Sequence, residues 1–567
     1  MAVNHARWDK GYNHPVPWSS DFPPLTLPQM FEAAVAAQGS AIFLDFMGKQ
    51  FSYAQTGEQA RRVAKGLQQL GIKPGDRIGL FLPNVPHYVA AYYGALSIGA
   101  IIVNFSPLYS VDELAHQVAD SGTTLLITLS ATALLPTALK VMERGGLERI
   151  VVGTVAEALP FAKSLLFRLF KRREVSPTPD DRRISSYAEL INNDGIPAAF
   201  SPSPDDVAVL QYTGGTTGTP KGAMLTHQNL SANARQVDAV DPKNDAEDRI
   251  VGVLPFFHVF ANTCVLNRTV QPGGMIAMLP RFDAKATLQT IARVKATALP
   301  GVPTMYQALL DHPATAQTDF SSLRVCISGG APLPAEVKAR FEAVTGAKVV
   351  EGYGLTESAG VLTTNPYEGL NKPGTIGQPL PATEICLLDR EDPSKPAPEG
   401  EPGEIAFRGP QMMKGYWQRP DADLEVFVDG WLRTGDVGMI DDDGYVRIVD
   451  RLKDMISVGG FKVFPSVIEG QLYAHPAVKE AIVIGTPDTR MGEKPKAFVT
   501  LADGTSETGD GLLTWLNPRL GKHERVVAVE VRLALPKTLV GKLSRKELVA
   551  EEQARALASS QPPKSSA

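Results

Sequence analysis

The stretch with the clearest chemical character is "YTGGTTGTPKGAMLTH", residues 212–227, which combines glycines, threonines and a single lysine. Gly214 and Gly215 allow consecutive backbone N–H groups to converge on an anion. The threonine hydroxyls add donors, and Lys221 adds a positive charge. The pattern differs from the G-x-x-x-x-G-K-[ST] loop of many ATPases because Lys221 follows a proline. The stretch therefore predicts a phosphate-binding loop of another type, and a polar glycine-rich turn is the alternative.

A second stretch, "EGYGLTE" (351–357), carries side chains suited to other parts of a nucleotide. The Tyr353 ring offers a flat face to a base, and the Thr356 hydroxyl can donate to a phosphate. The Glu357 carboxylate is a hard oxygen ligand of the kind that Mg²⁺ prefers. On its own, the stretch is equally typical of a strand that ends in a turn.

Three further stretches carry charged groups near glycines. In "WLRTGD" (431–436), a carboxylate follows a Thr-Gly turn, where it can accept hydrogen bonds from ribose hydroxyls. "DRLKDMISVGGFKVFPSVIE" (450–469) joins a charged cluster to two glycines, and "LPKTLVGKLSRKEL" (535–548) contains Lys537 and Lys542. Taken alone, these two lysines would be interpreted as solvated surface residues.

The composition is that of an ordinary globular protein with more than one domain. The 567 residues exceed what one hydrophobic core normally serves, and 44% are apolar and 21% charged. A formal net charge of −5 gives no overall positive field, so the sequence predicts no nucleic-acid partner. Three widely spaced cysteines without a C-x-x-C pair, and an N-terminus without an apolar run, favour a cytoplasmic protein.

The elements that must position these stretches change in type along the chain. In the first part, amphipathic helical segments such as "QARRVAKGLQQLG" alternate with buried strands such as "DRIGLFLPN" (76–84), which predicts parallel sheets covered by helices. The apolar segment from Ala90 to Val103 is shorter than the ~20 residues that span a bilayer, and it predicts a buried helix running into a strand. Residues 374–450 favour short strands in a small antiparallel barrel or sheet. A smaller α+β unit follows, and the terminal "SSQPPKSSA" is expected to be disordered.

Together and in this order, the five stretches resemble the adenylate-forming superfamily, which includes acyl-CoA synthetases, firefly luciferase and peptide-synthetase adenylation domains. The strings "LPFFHVFA", "GPQMMKGYWQRPDA" and "RIVDRLKDMI" resemble the bacterial long-chain-fatty-acid–CoA ligases in particular. The resemblance covers roughly residues 30–550. It implies an α/β fold with a large N-terminal AMP-binding domain, residues 1–449, built from two α/β subdomains and a small β-barrel. A small mobile α+β C-terminal domain, residues 450–567, would follow, with Asp450 at the hinge.

The resemblance implies an ATP-dependent fatty acid–CoA ligase that uses Mg²⁺ and accepts medium- to long-chain acids. In such enzymes the fatty acid carboxylate attacks the α-phosphorus of ATP, diphosphate leaves, and acyl-AMP forms. The thiol of CoA then displaces AMP to give acyl-CoA. Two alternatives stay open: an acyl-AMP ligase that loads a carrier protein, and a non-catalytic membrane-associated scaffold with the same fold.

Carried over by position, the resemblance implies roles for individual residues. The diphosphate would be held by Thr213, Gly214, Gly215, Thr216, Thr217, Gly218 and Lys221. The nucleoside would be held by Gly330, Ala331, Pro332 and Tyr353 around adenine, and by Asp436 and Arg451, with Lys453 nearby, around the ribose. Mg²⁺ would lie near Thr216 and Glu357, and the CoA tunnel would pass Gly459 and Gly460. The reacting groups would be contacted by Thr356 at the α-phosphate, Lys542 between carboxylate and α-phosphate, and His258 beside the acyl carbonyl. For His258 the alternative is a hydrogen-bonded core residue.

One surface segment is distinct from the nucleotide motifs. In "LPFAKSLLFRLFKRRE" (159–174), a helix would place five apolar residues on one face, namely Phe161, Leu165, Leu166, Leu169 and Phe170. Lys163, Arg168 and Lys171 would lie opposite. A basic amphipathic helix can lie on an anionic membrane, so the segment predicts peripheral contact with the inner face of the membrane. The alternative is a helix docked on the body of the protein. The partners expected are thus fatty acid, CoA and this membrane surface, with a homodimer as the assembly considered.

Overall fold

The structure, a computed structural model, describes residues 8, 11–213, 220–243, 245, 247–459, 461–488, 490–537 and 543–560. Within these residues the strands form four sheets. Two large sheets and a smaller antiparallel one belong to the first 451 residues, and the fourth sheet follows them in the chain. This arrangement confirms the predicted α/β fold with a large N-terminal and a small C-terminal part.

The first large sheet has eight strands, and it carries the glycine-rich loop. In spatial order they are Gly415–Tyr416, Gly222–Thr226, Val207–Tyr212, Ile101–Asn104, Arg77–Leu80, Leu125–Leu129, Arg149–Gly153 and Ile184–Ser186. The six strands from Val207–Tyr212 onward are parallel, whereas the first two pair antiparallel. The buried β-branched runs of these strands are typical of a sheet covered on both faces.

The second large sheet has nine strands, and its strand Lys348–Tyr353 runs into the segment "EGYGLTE". In spatial order they are Gln378–Pro379, Thr363–Thr364, Lys348–Tyr353, Val325–Ser328, Ala298–Gly301, Arg249–Gly252, Met275–Met278, Ile42–Phe46 and Lys49–Ser52. The six from Lys348–Tyr353 to Ile42–Phe46 are parallel to one another. Because ligands bind beyond the carboxyl ends of parallel strands, the two large sheets define where the site must lie.

The two smaller sheets are mainly antiparallel. The third consists of Glu384–Leu388, Gly403–Arg408, Trp431–Ile440, Phe427–Val428 and Val446–Arg451. The fourth consists of Phe461–Val463, Ile456–Val458, Gly492–Leu501, Val478–Asp488 and Val529–Val531. The third sheet occupies the predicted region of short strands, and it positions "WLRTGD" within its longest strand.

The α-helices cover the sheets and start at recognisable caps. Ser52, for example, accepts a hydrogen bond from the backbone N–H of Gln55, while the Gln55 side chain accepts one from the N–H of Ser52. In the first half of the chain the helices are Leu27–Gln38, Tyr53–Gln69, Pro86–Ser97, Val111–Ser121, Leu135–Glu143, Val155–Ala158, Phe161–Phe170, Tyr187–Leu190, His227–Ala239, Val259–Ala261 and Arg268–Val270. In the second half they are Ala284–Val294, Pro303–Leu310, Ala335–Thr345, Pro420–Val426, Pro465–Tyr473, Gly509–Leu516 and Lys546–Ser560.

Shorter helical turns complete the structure. They comprise the 3₁₀ turns Arg172–Glu174, Pro313–Gln317, Thr356–Ser358, Leu452–Asp454 and Asn517–Arg519, and the π-helix Asn262–Asn267. The last helix includes the first two residues of the tail that the sequence predicts to be disordered, because helical structure continues to Ser560. The rest of that tail lies outside the described residues.

A buried ionic cluster stabilises the second large sheet away from the carboxyl ends of its strands. The Arg268 guanidinium lies 2.5 Å from Asp248 and 2.8 Å from Asp241, and Arg324 lies 2.7 Å from Asp241. Arg268 and both carboxylates are almost fully buried. Removing one member of such a cluster leaves uncompensated buried charge, so the cluster fixes how these segments pack together.

Candidate active site

The candidate site residues lie at the carboxyl ends of strands from both large sheets. Tyr353 is the last residue of its strand, and Gly330 comes two residues after the strand Val325–Ser328. Thr213 directly follows the strand Val207–Tyr212 of the other sheet. The motifs around Thr213, Gly330 and Tyr353, far apart in the chain, therefore lie at strand ends where a ligand of an α/β protein is expected.

Asp436 is the centre of the best-defined cluster. One of its carboxylate oxygens accepts a 2.5 Å hydrogen bond from the Tyr353 hydroxyl, and the other lies 2.9 Å from Nε of Arg451. Asp436 and Arg451 face each other on adjacent strands of the third sheet. The carboxylate is nearly fully buried, and burial together with Asp436 raises the pKa of Tyr353. The structure thus brings together three residues that the resemblance assigns to the nucleoside.

Lys453 lies next to this cluster, in the 3₁₀ turn that follows Arg451. Burial and the positive charge of Arg451 lower the pKa of the Lys453 ammonium. Arg451 and Lys453 thus place two positive charges near Asp436, and the Asp454 carboxylate also interacts with both.

Glu357 is a half-buried carboxylate in the turn that follows the strand of Tyr353. Its Oε1 accepts a 2.6 Å hydrogen bond from the Tyr416 hydroxyl, and its backbone oxygen accepts one from the N–H of Met413. Burial raises the pKa of the Glu357 carboxyl above its usual range, while the bond from Tyr416 opposes that change. The Tyr416 hydroxyl, the residue's own backbone N–H and the charge of Arg451 favour the carboxylate form but do not outweigh burial, and a divalent cation would stabilise that form further.

The Glu357 carboxylate fits a magnesium ion that is also bound by substrate phosphates. Mg²⁺ is usually bound by one or two carboxylates plus phosphate oxygens and water, and Glu357 supplies one such carboxylate. Among the described residues, no group of three or more histidine, cysteine, aspartate or glutamate side chains could hold a metal on its own. Thr216, the second predicted magnesium contact, lies outside the described residues.

The base of the glycine-rich loop is closed by a backbone hydrogen bond. The N–H of Thr213 donates to the carbonyl oxygen of Lys221 at 2.9 Å. The Lys221 ammonium lies 5.3 Å from the centroid of the Tyr416 ring and 3.6 Å from Glu425, and its side chain is 37% exposed. A partly exposed ammonium beside the loop base can pair with a phosphate. The predicted loop residues Gly214, Gly215, Thr216, Thr217 and Gly218 lie outside the described part of the chain.

The predicted adenine contacts form a turn with special backbone geometry. Gly330 has φ +81°, a conformation that favours glycine, and Ala331 and Pro332 are exposed. At the neighbouring Gly329, an added Cβ atom would lie 3.1 Å from the Phe260 ring. Thr356 begins the short turn that also contains Glu357. The turn with Gly330 and the turn with Thr356 thus follow neighbouring parallel strands of the second sheet.

His258 caps the short helix Val259–Ala261. Its Nδ1 accepts a hydrogen bond from the N–H of Phe260 at 3.3 Å, and the ring is partly exposed. The π-helix that follows contacts the chain just after the "EGYGLTE" segment, since the Thr263 hydroxyl donates to the carbonyl of Ala359 at 2.6 Å. The structure thus brings His258 to the same edge of the sheets as the nucleotide motifs.

The C-terminal motifs are described only in part. Gly459 has φ +58°, and its N–H donates to the carbonyl of Met491 at 2.7 Å. Lys537 pairs with Glu480 at 2.6 Å, which identifies it as a structural surface residue. Gly460 and Lys542 lie outside the described residues.

Asp450 joins the third sheet to the segment after it. One carboxylate oxygen accepts from the N–H of Arg451 at 2.7 Å, and the other accepts from the N–H of Ser466 at 2.9 Å. Burial raises the pKa of the Asp450 carboxyl. The residue is therefore built into the connection that the resemblance assigns to a hinge.

Sequence reasoning missed Tyr416 and Phe167. Tyr416 was part of a string that carried the family resemblance, but nothing in its local pattern indicated that its hydroxyl contacts Glu357. In the helix Phe161–Phe170, Phe167 packs against the core, whereas the five predicted apolar-face residues are 50–87% exposed. Lys163, expected to be solvated, donates to the carbonyl of Met47 at 2.7 Å. The helix is thus anchored through Phe167 and Lys163, with its apolar face turned outward.

Comparisons with known proteins agree with this geometry. Residues 31–417 match the model of the AMP-binding enzyme family, and residues 467–542 match the AMP-binding enzyme C-terminal domain. The chain therefore belongs to the AMP-binding enzyme family.

The named relatives include a long-chain-fatty-acid–CoA ligase of Bacillus subtilis (strain 168), 40% identical over 96% of this chain and 98% of that protein. A feruloyl-CoA synthase of Amycolatopsis sp is 38% identical over 88% of this chain and 94% of its own length. Among solved structures, the anthranilate CoA ligase AuaEII in complex with anthranoyl-AMP superposes with a TM-score of 0.83 at 27% identity. That alignment covers 95% of this chain and 99% of the other.

Proposed function

We propose that this protein is an ATP-dependent fatty acid–CoA ligase acting on medium- to long-chain acids. The observation that carries the proposal is that Asp436 binds both Tyr353 and Arg451, with the half-buried Glu357 in the turn that follows the strand of Tyr353. Similarity to the Bacillus subtilis ligase over nearly the whole chain supports this choice of substrate class.

The reaction has two steps. A carboxylate oxygen of the acid attacks the α-phosphorus, the bond from that phosphorus to the bridging oxygen breaks, and diphosphate leaves. The thiolate sulfur of CoA then attacks the acyl carbon, the acyl carbon–oxygen bond breaks, and AMP leaves. Activation is needed because a free carboxylate would have to expel oxide, whereas acyl-AMP expels a stable phosphate anion.

In this proposal each described residue stabilises a particular charge or group. Asp436 accepts hydrogen bonds from the ribose hydroxyls, and Arg451 and Lys453 hold positive charge beside it. Lys221 pairs with the departing diphosphate, and Thr356 contacts the α-phosphate. Glu357 would hold Mg²⁺, which when bound neutralises phosphate charge. His258 lies beside the acyl carbonyl, and Lys542 bridges the carboxylate and the α-phosphate.

The domain assignment belongs to the same proposal. We place the boundary at residues 449 and 450, with the C-terminal unit rotating about Asp450 between the two steps. One orientation would supply Lys542 for adenylation, and the other would bring Gly459 and Gly460 to the CoA tunnel. Rotation would require breaking the hydrogen bonds that Asp450 accepts from Arg451 and Ser466.

The test is a panel of carboxylic acids from C4 to C20, together with aromatic acids such as ferulate, assayed for CoA-dependent AMP formation. Preference for C8 or longer aliphatic acids is the expected result. Preference for ferulate would replace the substrate class, and AMP release only with a carrier protein would identify an acyl-AMP ligase. A folded protein that binds no ATP would instead be a non-catalytic scaffold.

Peripheral membrane contact through the helix Phe161–Phe170 is part of the proposal. Phe161 and Phe170 are 87% and 78% exposed, and basic residues Lys171, Arg172 and Arg173 follow the apolar face. Among the described residues, no helix is both long and apolar enough to cross a bilayer. Insertion of an apolar helix face beside basic residues instead favours binding at an anionic lipid surface.

Vesicle binding tests this contact. Replacing Phe161, Leu165 and Leu169 together by serine is expected to weaken sedimentation with anionic vesicles at least severalfold. The matched control replaces three exposed apolar residues elsewhere by serine, namely Leu108, Ile196 and Leu424. Equal binding by the two triple variants would refute the membrane role. Light scattering on the same preparations tests the homodimer, since it separates one chain mass from two.

A further inference from the structure

A chain of buried amide and hydroxyl groups connects the phosphate-loop strand to the segment before His258. Asn104 and Gln211 face each other on adjacent parallel strands, and Nδ2 of Asn104 donates to Oε1 of Gln211 at 3.0 Å. Nε2 of Gln211 donates to the backbone carbonyl of Phe257 at 2.9 Å. Phe257 immediately precedes His258 in the chain.

Two side chains that follow the strand Arg77–Leu80, one in a loop and one in the helix Pro86–Ser97, hold the same segment. Nδ2 of Asn84 donates to the carbonyl of Leu254 at 2.7 Å, and its Oδ1 accepts from the N–H of Phe256 at 2.8 Å. The Tyr88 hydroxyl lies 2.9 Å from the carbonyl of Phe256 and 2.8 Å from Oδ1 of Asn104. Residues 254–257, which follow a strand of the second sheet, are thus held by Gln211 of the first sheet and by Asn84 and Tyr88, which follow its strand Arg77–Leu80.

The polar side chains of this network are suited to fixing the position of the segment before His258. Asn84, Asn104, Tyr88 and Gln211 are buried where apolar side chains would also fill the space. Buried polar groups cost free energy unless they are paired, and a fully paired network specifies one geometry of the groups that it joins. Here the groups joined are backbone atoms beside His258 and the end of the strand that enters the phosphate loop.

We propose that Gln211 is a positioning residue, which places His258 against the acyl group by holding the carbonyl of Phe257. This inference rests on the proposed ligase function and on the proposed role of His258. Gln211 lies two residues before Thr213, at the closed base of the loop. It therefore sets the distance between the phosphate-binding and acyl-binding parts of the site.

The primary variant is Gln211→Met, which keeps the length of the side chain but removes its donor and its acceptor. A second variant, Gln211→Glu, keeps an acceptor for Asn104 and, when ionised, replaces the donor to Phe257 with a carboxylate oxygen. The matched control is Gln378→Met, a fully buried glutamine that donates to the carbonyls of Gly11 and Asp443 away from His258.

Pyrophosphate exchange that depends on the fatty acid is measured for each variant at saturating and at limiting fatty acid concentration. Both Gln211 variants are expected to lower kcat/KM for the fatty acid about 10- to 100-fold, since displacement of reacting groups by about 1 Å can cost ~10²-fold. The KM for ATP is expected to change less than about twofold, and the Tm no more than in Gln378→Met. A loss shared by Gln378→Met, or an equal effect on ATP, would overturn the proposal.

A double-mutant cycle with His258→Ala identifies the route of the effect. If Gln211 acts through His258, Gln211→Met in the His258→Ala background should change kcat/KM less than about twofold. Multiplication of the two single effects would overturn the proposal. So would failure of both Gln211 variants to fold, since the network would then serve stability alone. A wild-type protein that forms no AMP with any acid would refute the proposed function, whereas an active enzyme insensitive to Gln211 would refute only this inference.

Discussion

Removing the Tyr416 hydroxyl is expected to change the pH dependence of acyl-AMP formation. The hydroxyl donates to Glu357 at 2.6 Å, and burial already raises the pKa of that carboxyl. A hydrogen bond to a charged group is worth about 1.5–3 kcal/mol. Tyr416→Phe forfeits that stabilisation of the carboxylate, so the pKa of Glu357 should rise further. Because one pKa unit corresponds to about 1.36 kcal/mol, the expected change is about 1–2 pH units.

The direction in which the pH profile moves depends on which protonation state of Glu357 is active. The carboxylate would bind Mg²⁺, so activity is present above the pKa of Glu357 and is lost as the pH falls through it. In Tyr416→Phe the acid limb of the pH profile should therefore move to higher pH. Higher Mg²⁺ concentration should reduce the displacement, since the cation binds the carboxylate and competes with the proton.

The assay is pyrophosphate exchange from pH 5 to 9 for the wild type, Tyr416→Phe and a control. Tyr53→Phe is the control, because the Tyr53 hydroxyl also donates to a buried acceptor, the carbonyl of Gly274, at 2.8 Å. Gly274 precedes the strand Met275–Met278, which three other strands separate from the strand Lys348–Tyr353. An acid limb at the wild-type position in Tyr416→Phe would refute the reasoning, whatever the loss of rate at the optimum. So would an equal displacement in Tyr53→Phe.

Four further substitutions should each affect a different property of the protein. Lys221→Ala should lower kcat/KM for ATP by about 10²-fold with little change in unfolding free energy, and unchanged ATP kinetics in a folded variant would remove Lys221 from the mechanism. Lys542→Ala should slow pyrophosphate exchange about 10²–10³-fold yet spare acyl-CoA formation from supplied acyl-AMP. Gly460→Leu should instead slow acyl-CoA formation and spare pyrophosphate exchange. Equal slowing of both steps by Lys542→Ala would contradict the proposed rotation of the C-terminal unit between the two steps. Arg268→Met should reduce the free energy of unfolding in urea by about 3–5 kcal/mol, because Arg324 alone would then pair with the buried Asp241 and Asp248, and Asp238 would lose its 3.5 Å contact with Arg268. A loss below about 1 kcal/mol would mean that the cluster relaxes.

Local patterns predicted the elements that carry the site. The segment from Ala90 to Val103 is the predicted buried helix running into a strand, since the helix Pro86–Ser97 precedes the strand Ile101–Asn104. Apolar periodicity decides such elements because it reflects burial within a few residues.

Contacts between distant segments could not be predicted in the same way. Nothing near Tyr416 indicates a bond to Glu357, and Gln211 resembles any polar residue at the end of a strand. Phe167 was passed over because the five other apolar residues of its helix gave the stronger periodic pattern. Which face docks depends on the surface already present, and the anchor at Met47 comes from a turn far earlier in the chain. Such pairings depend on how the sheets pack, which a single sequence leaves undetermined.

The short strand Gly415–Tyr416 has a consequence for biosynthesis. It pairs with Gly222–Thr226, at what would otherwise be the open edge of the eight-stranded sheet. An unpaired edge can recruit strands from other chains. On the ribosome, this edge stays uncovered until the residues around Tyr416 have left the exit tunnel, because its partner is synthesised so much later. Nascent chains that stall between the two strands should therefore depend on chaperones more than chains released after Tyr416, and fragments ending before Gly415 should aggregate although both large sheets are encoded.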